Sequence, residues 1–406
     1  MDTPFQNKRI LLGVTGSIAC YKAADLASKL AQSEAQVDVI LTHSAARFVT
    51  PLTFQSVTGR GAYTEEDLWG SQGHVLHIGL AKNADLLVVA PASANTLAKL
   101  AHGLADNLLT VTALAAVCPL IVAPAMDGGM YAHPATQANL KILRERGVQV
   151  LGPAQGHLAS GLTGAGRMLE PQELIGHIRL ALGRGGPLEG KRVVVTAGGT
   201  QEAIDPVRAI TNRSSGKQGF ALAQAALDKG AEVTLITAPA ALSTPVGARR
   251  VEVRSAEEML QAVLEFLPQA DALIMAAAVA DFRPAAPQEH KIKKEEGLPE
   301  IKLEKTPDIL GVVAPLRDRT GRPRVSVGFA AESRDLLENA RHKLQSKQLD
   351  LIVANDIRRS DAGFSVDTNR VTLLTPDGQV DSLPLMSKEQ VARVVIERVQ
   401  VLLEGK

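Results

Sequence analysis

The stretch RILLGVTGSIACYKAADLASKL, residues 9–30, decides the fold. A run of Ile, Leu and Val leads into a turn holding Gly13 and Gly16, and a segment with one apolar face at helical spacing follows. Strand, glycine turn and helix in that order open a doubly wound α/β sheet. The order returns at residues 191–237, where KRVVVTAGGT and SSGKQGFALAQAALDKGAEVTLIT frame a second opening. Strand-length apolar runs then alternate with helix-length ones. They are VDVILT, DLLVVAPA and PLIVAPAM in the first half, and EVTLITA, RVEVRS, DALIMAAAVA, RVSVGFAAE and LDLIVAND in the second. Continuous Val/Ile/Leu runs between helices predict parallel strands buried on both faces. The expected fold class is α/β, with two three-layer Rossmann-like domains and ligands at the carboxyl ends of the strands. VTLLTPDGQVDSLPL, residues 371–385, reads differently. Its Asp377-Gly378 pair predicts a tight turn and an antiparallel hairpin added to the second sheet.

A chain of 406 residues suits two domains. LGRGGPLEGKR, residues 182–192, collects Gly and Pro between a helical pattern and a strand, and is the expected linker. Domains are therefore expected at 1–189 and 190–406. The first carries 14 Lys+Arg and 14 Asp+Glu and the second 30 and 29, a step in charge density that supports the boundary. The net charge of +1 and an aromatic content of 3% leave no electrostatic or stacking support for a nucleic-acid partner. The apolar runs are too short and interrupted to span a membrane. Cys20 and Cys118 are the two cysteines, and no signal-peptide pattern opens the chain. They read as free thiols in a reducing compartment, so a cytoplasmic location is expected. No His/Cys cluster predicts a structural metal site.

Several residues at strand ends carry chemistry. Gly16 and Ser17 precede a helix, where exposed amides favour a phosphate; a tight turn needing glycine explains them equally well. Ser93, Asn95 and Thr96 in APASANTLAK follow the strand DLLVVAPA, and such side chains also serve as helix caps. His77 lies in HVLHIGLAKNAD, with His74 three residues earlier, and spacing does not choose between them.

The ordered set GVTGSIACYKA, HIGLAKNAD, APASANTLAK, APAMDGGMY and GPAQGHLASGLTGAGRM resembles the flavin-dependent cysteine decarboxylases. The second half resembles the phosphopantothenate–cysteine ligases. Together they are similar, over essentially the whole chain, to the bifunctional flavoproteins of coenzyme A biosynthesis. The resemblance implies a flavodoxin-like first domain holding FMN, with Gly16, Ser17, Thr42, Ser44, Ser93, Asn95, Thr96 and Met126 at the cofactor and His77 as a catalytic residue. In such enzymes the flavin first oxidises the cysteine thiol to a thioaldehyde. Sulfur then delocalises the carbanion left by loss of carbon dioxide, and the reduced flavin returns its hydride. The products implied from phosphopantothenoylcysteine are carbon dioxide and 4′-phosphopantetheine.

Two positions depart from the family pattern. Asp127 stands where the family usually has Asn, and Ser160 where it usually has Cys. The Asn is expected to bind the substrate carboxylate and the Cys to supply a proton in the last step. A serine hydroxyl is a far weaker acid than a thiol. A buried carboxyl beside another anion is pushed toward its neutral form. The expectation is therefore compensation, with a protonated Asp127 as the acid that Ser160 cannot be. The competing expectation is an active ligase whose flavin half is catalytically incomplete.

In the second half AGGT and SSGKQG suggest a nucleotide fold, but neither the Walker spacing nor GxGxxG is present. The resemblance places Asn212 at the substrate acyl group and Ser214, Ser215, Gly216 and Lys217 at its phosphate. It places Lys291 in EHKIKKEEG at the forming acyl-cytidylate; a basic run is otherwise a solvated loop. Thr306, Pro307, Asp308 and Ile309 match its cytidine-binding turn, and Lys343 and Lys347, four apart on one helix face, its triphosphate-binding lysines. Asp281, at the end of a buried strand, and Phe329 in VGFAAES are further substrate-binding positions, although a helix cap or turn explains Asp281 equally well. The implied reaction joins 4′-phosphopantothenate to L-cysteine with CTP, through an acyl-cytidylate, with Mg2+ on the triphosphate and no protein metal site. Relatives imply a homo-oligomer, with trimeric flavin domains and dimeric ligase domains. A nicotinamide dehydrogenase explains the two openings but none of PASANT, PAMD or KIKK. A non-catalytic flavin-binding subunit leaves the second half unexplained.

Overall fold

The structure is a computed structural model that describes residues 4–69, 73–293, 300–332, 335–356 and 366–405. The chain divides into two compact units, residues 1–182 and 183–406.

Strands β1 (Arg9–Val14), β2 (Gln36–Leu41), β3 (Ala62–Tyr63), β4 (Leu86–Ala92), β5 (Leu120–Pro124) and β6 (Gln149–Val150) build the first sheet. Their order is β3-β2-β1-β4-β5-β6, with every neighbour pair parallel. The order reverses between β1 and β4, which leaves a crevice at their carboxyl ends. Alternate residues divide between the faces, as strand geometry requires. Ile10, Leu12 and Val14 pack with Cys20, Ala23 and Leu26 of the helix Cys20–Gln32. Leu11, Leu87 and Val89 pack with Leu97 and Leu109 of the helices Ala94–His102 and Leu108–Ala115. These are the three layers expected. An antiparallel hairpin of β7 (Ala154–His157) and β8 (Thr163–Arg167) follows, a ribbon that apolar patterning gave no sign of.

In the second unit β9 (Arg192–Ala197) opens the sheet, and a ribbon of β10 (Gln201–Ala203) and β11 (Ala209–Thr211) follows it. Then come β12 (Glu232–Thr237), β13 (Arg249–Glu252) and β14 (Ala272–Met275), a ribbon of β15 (Phe282–Pro284) and β16 (Leu303–Lys305), and β17 (Val325–Glu332) and β18 (Leu351–Asp356). The two-residue strands β19 (Thr368–Asn369) and β22 (Met386–Ser387) pair outside the sheet. Between them in sequence lie β20 (Val371–Leu374) and β21 (Val380–Ser382), joined by the Asp377-Gly378 turn. The sheet order is β13-β12-β9-β14-β17-β18-β20-β21. Its strands are parallel up to β18, and β20 and β21 add the expected antiparallel hairpin. DALIMAAAVA forms a strand of only four residues. Beyond Met275 the amides of Ala277 and Ala280 are taken by the hydroxyls of Thr196 and Thr200 (3.1 and 2.9 Å), so this segment lies along the AGGT loop.

A repeated device sets strand starts at the edge away from the crevice. The carboxylates of Asp85, Asp271 and Asp350 accept the backbone N–H of Arg9, Arg192 and Ser326 on neighbouring strands, at 2.7, 2.9 and 2.7 Å. Asp271 also receives Arg322 Nη1 at 2.5 Å. Burial pushes its carboxyl up, but the Arg192 amide and the Arg322 guanidinium outweigh burial and hold it below the usual range. Asp271→Ala orphans the Arg192 amide and the arginine, and is expected to lower the stability of the second unit by about 2 kcal/mol, measured by denaturant unfolding. A depressed carboxyl contributes above its unfolded pKa and loses that contribution only as pH falls through the folded value. The difference from wild type should persist down to about pH 4 and shrink in stronger acid.

Candidate functional site

In the first unit the loops after β1, β2 and β4 meet at the crevice. Thr15, fully buried, ties two of them: its hydroxyl donates to Pro91 O (2.7 Å) and accepts from the Ser93 amide (2.8 Å). A Cβ on Gly16 would lie 2.5 Å from Ser44 Cβ, so glycine is what lets the first and second loops touch. Thr42 Oγ1 accepts the Ala45 amide (3.3 Å) and shapes the second loop. Ser93 caps the helix Ala94–His102 by accepting Thr96 N–H (3.3 Å), while Thr96 is buried and Asn95 exposed. Ser93 and Thr96 thus also do the plain work of a helix cap. Gly16, Ser17, Thr42, Ser44, Ser93 and Asn95 lie together at the carboxyl edges of β1, β2 and β4. The 13-residue helix behind Ser17 has no side-chain cap. Its N-terminus, the Gly16 cradle and the surrounding hydroxyls fit a phosphate-bearing cofactor.

The loop after β5 carries Met126 and Asp127. Met126 donates its amide to Gly166 O (3.0 Å) of β8. The hairpin thereby lays its connecting loop against this one, and Ser160 Oγ donates to Asp127 Oδ2 at 2.6 Å. Asp127 Oδ1 accepts the Gly129 amide at 2.9 Å, capping a short helix. The two departures from the family pattern are therefore hydrogen-bonded to each other across 33 positions. The expected protonation concerns Asp127 beside a substrate carboxylate; in the free protein its neighbours are two donors. The Ser160 hydroxyl, then the Gly129 amide, hold the Asp127 carboxyl below the usual range, so it is ionised at neutral pH. Asp127 is only half-buried and meets two donors rather than an anion, so the desolvation invoked for a neutral acid is outweighed.

His77 sits on the helix Gly73–Asn83, half-buried, with Nδ1 enclosed and, among the described residues, without a hydrogen-bond partner. Among the described residues no hydrogen bond joins it to Asp127 or Ser160. The side chain of His74, its competitor in sequence, lies outside the described residues.

In the second unit a cleft of about 830 Å³ opens at the carboxyl edge of β9, β14, β17 and β18. Asn212, Ser214, Ser215, Gly216 and Lys217 line one part of it. Asp281, Thr306, Pro307, Asp308 and Ile309 line another, with Phe329, Lys343 and Lys347 beside them. Asn212 donates Nδ2 to Val279 O (3.0 Å), which fixes its amide against the turn after β14. Gly199 makes this possible, since a Cβ there would lie 2.6 Å from Asn212 O. Gly216, at φ 76°, starts the helix Lys217–Asp228 from a left-handed turn that glycine adopts freely. Thr306 donates its amide to Asp281 O (3.1 Å) and its hydroxyl to Ala280 O (2.5 Å), tying two lining loops.

Two of the cleft's lysines, Lys217 and Lys347, are paired with carboxylates. Lys217 Nζ meets Asp367 Oδ1 at 2.5 Å, and Lys347 pairs with Asp308, which also caps the helix Ile309–Thr320. Burial pushes Asp308 up, but the Lys347 ammonium and the Gly311 amide hold it below the usual range. Lys291 is exposed and does not line the cleft. Its loop is pinned next door, because buried Asp205 accepts the Ile292 amide (3.2 Å) and pairs with Arg208. The Arg208 guanidinium holds the Asp205 carboxyl far below the usual range. Lys294 lies outside the described residues. Asn355, Asn369 and Lys388 also line the cleft and were not anticipated. Each follows an apolar run or a turn with no motif around it, so spacing carried no signal. Among the described residues no group of three His, Cys, Asp or Glu is placed to hold a metal ion, and no helix is long and apolar enough to cross a membrane.

Two family models cover the chain: "Flavoprotein" over residues 2–182 and "DNA/pantothenate metabolism flavoprotein C-terminal domain" over residues 188–402. The coenzyme A biosynthesis bifunctional protein CoaBC of Bacillus subtilis (strain 168) is 46% identical over 399 residues, which cover 98% of this chain and 97% of the relative. The chain belongs to this family. The protein of the same name from Vibrio cholerae is 47% identical over 393 residues, covering 96% and 97%. Among solved structures, the C-terminal domain of a CoaBC protein is 40% identical, covers 54% of this chain and 100% of its own, and has a TM-score of 0.47. As a member, the chain is a flavoprotein and a bifunctional enzyme that joins a ligase and a decarboxylase in coenzyme A biosynthesis.

Gly16→Val forces a branched side chain into the Ser44 loop. It should purify with markedly less flavin, read from the visible absorbance per chain, while ligase activity stays near wild type.

Proposed function

We propose that the second unit uses CTP to convert the carboxylate of 4′-phosphopantothenate into an acyl-cytidylate, releasing pyrophosphate. The amine of L-cysteine then forms the amide and releases CMP. The first unit decarboxylates the resulting phosphopantothenoylcysteine to 4′-phosphopantetheine. The convergence of polar residues from separate loops on the 830 Å³ cleft carries this reading. Ser214, Ser215, Gly216 and Lys217 receive the substrate phosphate at a helix N-terminus. Asn212, its amide fixed on Val279 O, orients the acyl group. Thr306–Ile309, Asp281 and Phe329 hold the cytidine. Lys343 and Lys347 take the triphosphate, and Mg2+ travels on it. Arrival of the nucleotide displaces Asp308 from Lys347. Lys291 stabilises the negative charge that develops as the anhydride forms.

In the first unit FMN fits the Gly16–Ser44 cradle, with Ser17, Thr42, Ser93, Asn95, Thr96 and Met126 around it. FMN supplies the oxidation of the thiol and the return of the hydride. His77, whose enclosed Nδ1 lacks a partner, orients the substrate and moves its proton. Ser160 holds its proton against ionised Asp127 in the free protein. An incoming substrate carboxylate raises the proton affinity of Asp127, which takes up a proton from solvent as the substrate binds; once carbon dioxide has left, the pair passes that proton to the product in the last step. The chain works in the cytoplasm as a homo-oligomer, with trimers of flavin units and dimers of ligase units. Exposed Ile18 and Tyr21 beside the phosphate loop, and Phe282 and Leu303 on the β15–β16 ribbon, support this as surfaces to be covered.

Incubation with 4′-phosphopantothenoylcysteine should give phosphopantetheine by mass spectrometry, with the flavin returning to its oxidised absorbance. Asp127→Asn should slow the last step at least tenfold and leave a product two hydrogens lighter with reduced flavin; faster turnover would overturn the role given to Asp127. Pyrophosphate release should require CTP and phosphopantothenate together, and Lys291→Gln should reduce it at least tenfold.

A further inference from the structure

A groove of about 560 Å³ lies in the first unit between the helix Gly73–Asn83 and the starts of β1 and β2, at the edge of the sheet away from the cofactor crevice. Neither proposed reaction uses it.

Strand parity builds one wall. Ile10 and Leu12 pack on the opposite face of the sheet, so Arg9 and Leu11 face this helix. Asp38 of β2 stands beside Leu11, and Tyr63 of β3 beside Ile40, which packs with Leu11. Arg9, Asp38 and Tyr63 all line the groove, with Arg60 next to them. The sheet is thus polar here, on a face that is apolar farther along. Asp38 is the one carboxylate among the described lining residues, and Arg60 already occupies it through Nε and Nη2 at 3.1 and 2.7 Å. What remains is a set of donors. Among the described residues, the Arg9 guanidinium and Arg60 Nη1 have no partner. Burial, and then the Asp38 carboxylate, push the Tyr63 phenol up, so its O–H keeps its proton.

The helix supplies the other wall. Leu76, Gly79 and Leu80 line the groove, and a Cβ on Gly79 would meet no atom within 4 Å. Glycine inside a helix is less stable than almost any other residue, so open space is kept here at a cost. The apolar side chains around it lack contacts on the open side, which leaves the helix underpacked. His77 lies between Leu76 and Leu80 on this same helix.

We propose that the groove is an effector site for a small apolar carboxylic acid. Its carboxylate meets Arg9 and Arg60, its body packs on Leu76, Gly79 and Leu80, and its binding fixes the helix that carries His77. The coupling to chemistry rests on the role given to His77; the binding site does not.

The test uses the full flavin-loaded chain with 2-naphthoate as the probe, titrated by calorimetry. Wild type should bind one per chain, saturably and with a submillimolar Kd. Gly79→Leu fills the open space and replaces a helical glycine, so its melting temperature should hold or rise while binding is lost. Arg9→Ala should weaken 2-naphthoate about three- to tenfold and leave the uncharged 2-acetylnaphthalene unaffected. Saturating 2-naphthoate should change the decarboxylation kcat of wild type about twofold or more, leave that of Gly79→Leu unchanged, and leave ligation unchanged in both. Absence of saturable binding, or equal binding to Gly79→Leu, would overturn the site. Equal weakening of both probes in Arg9→Ala would overturn the carboxylate assignment. Unchanged decarboxylation at saturation would overturn the coupling, whereas full activity in His77→Asn would overturn only the role of His77.

Discussion

Parallel pairing governs both units. A parallel strand cannot turn back on its neighbour, so each connection crosses the sheet as a helix and both faces become buried. β4 has no exposed residue at all, and β1 only its first. Polar chemistry is thereby driven to the strand ends. At one edge Asp85, Asp271 and Asp350 take up amides at the starts of neighbouring strands. At the other the loops are left to ligands, and the two sites follow from that division.

The loops at that edge are joined by few, specific contacts. Thr15 bonds to both Pro91 and Ser93, and Gly16 permits contact with Ser44. In the second unit Thr196 and Thr200 draw the chain after Met275 out of the sheet, and that detour supplies the carbonyl that holds Asn212. The ligase cleft is also electrostatically prepared. Asp367 and Asp308 occupy Lys217 and Lys347, so anionic substrates exchange one counter-charge for another rather than binding to bare cations. Such exchange costs less desolvation than stripping water from an isolated ammonium.

Asp127 and Ser160 show the same economy within the flavin unit. One without the other leaves a carboxylate short of a donor or a hydroxyl short of an acceptor. Their bond at 2.6 Å makes the two changes one unit. It also sets the carboxylate's charge before any substrate arrives.

Sequence alone determined the two α/β openings, the principal parallel strands of each half, the Asp377-Gly378 hairpin and the family. Those features depend on local periodicity and on turn residues, which are legible one segment at a time. The residues that share the ligase cleft were legible only through resemblance, since Asn212, Thr306 and Lys343 are far apart in the chain. The folded structure alone decided three things. It made Asp127 an ionised partner of Ser160, because the β7–β8 hairpin crosses the loop after β5. It cut DALIMAAAVA to four residues of strand, because threonine hydroxyls compete for its amides. It placed Asn355 and Lys388 in the cleft, because the meeting of strand ends and loops from distant parts of the chain is a long-range property. A side chain's burial and partners depend on packing across the fold, and no spacing along one segment encodes them.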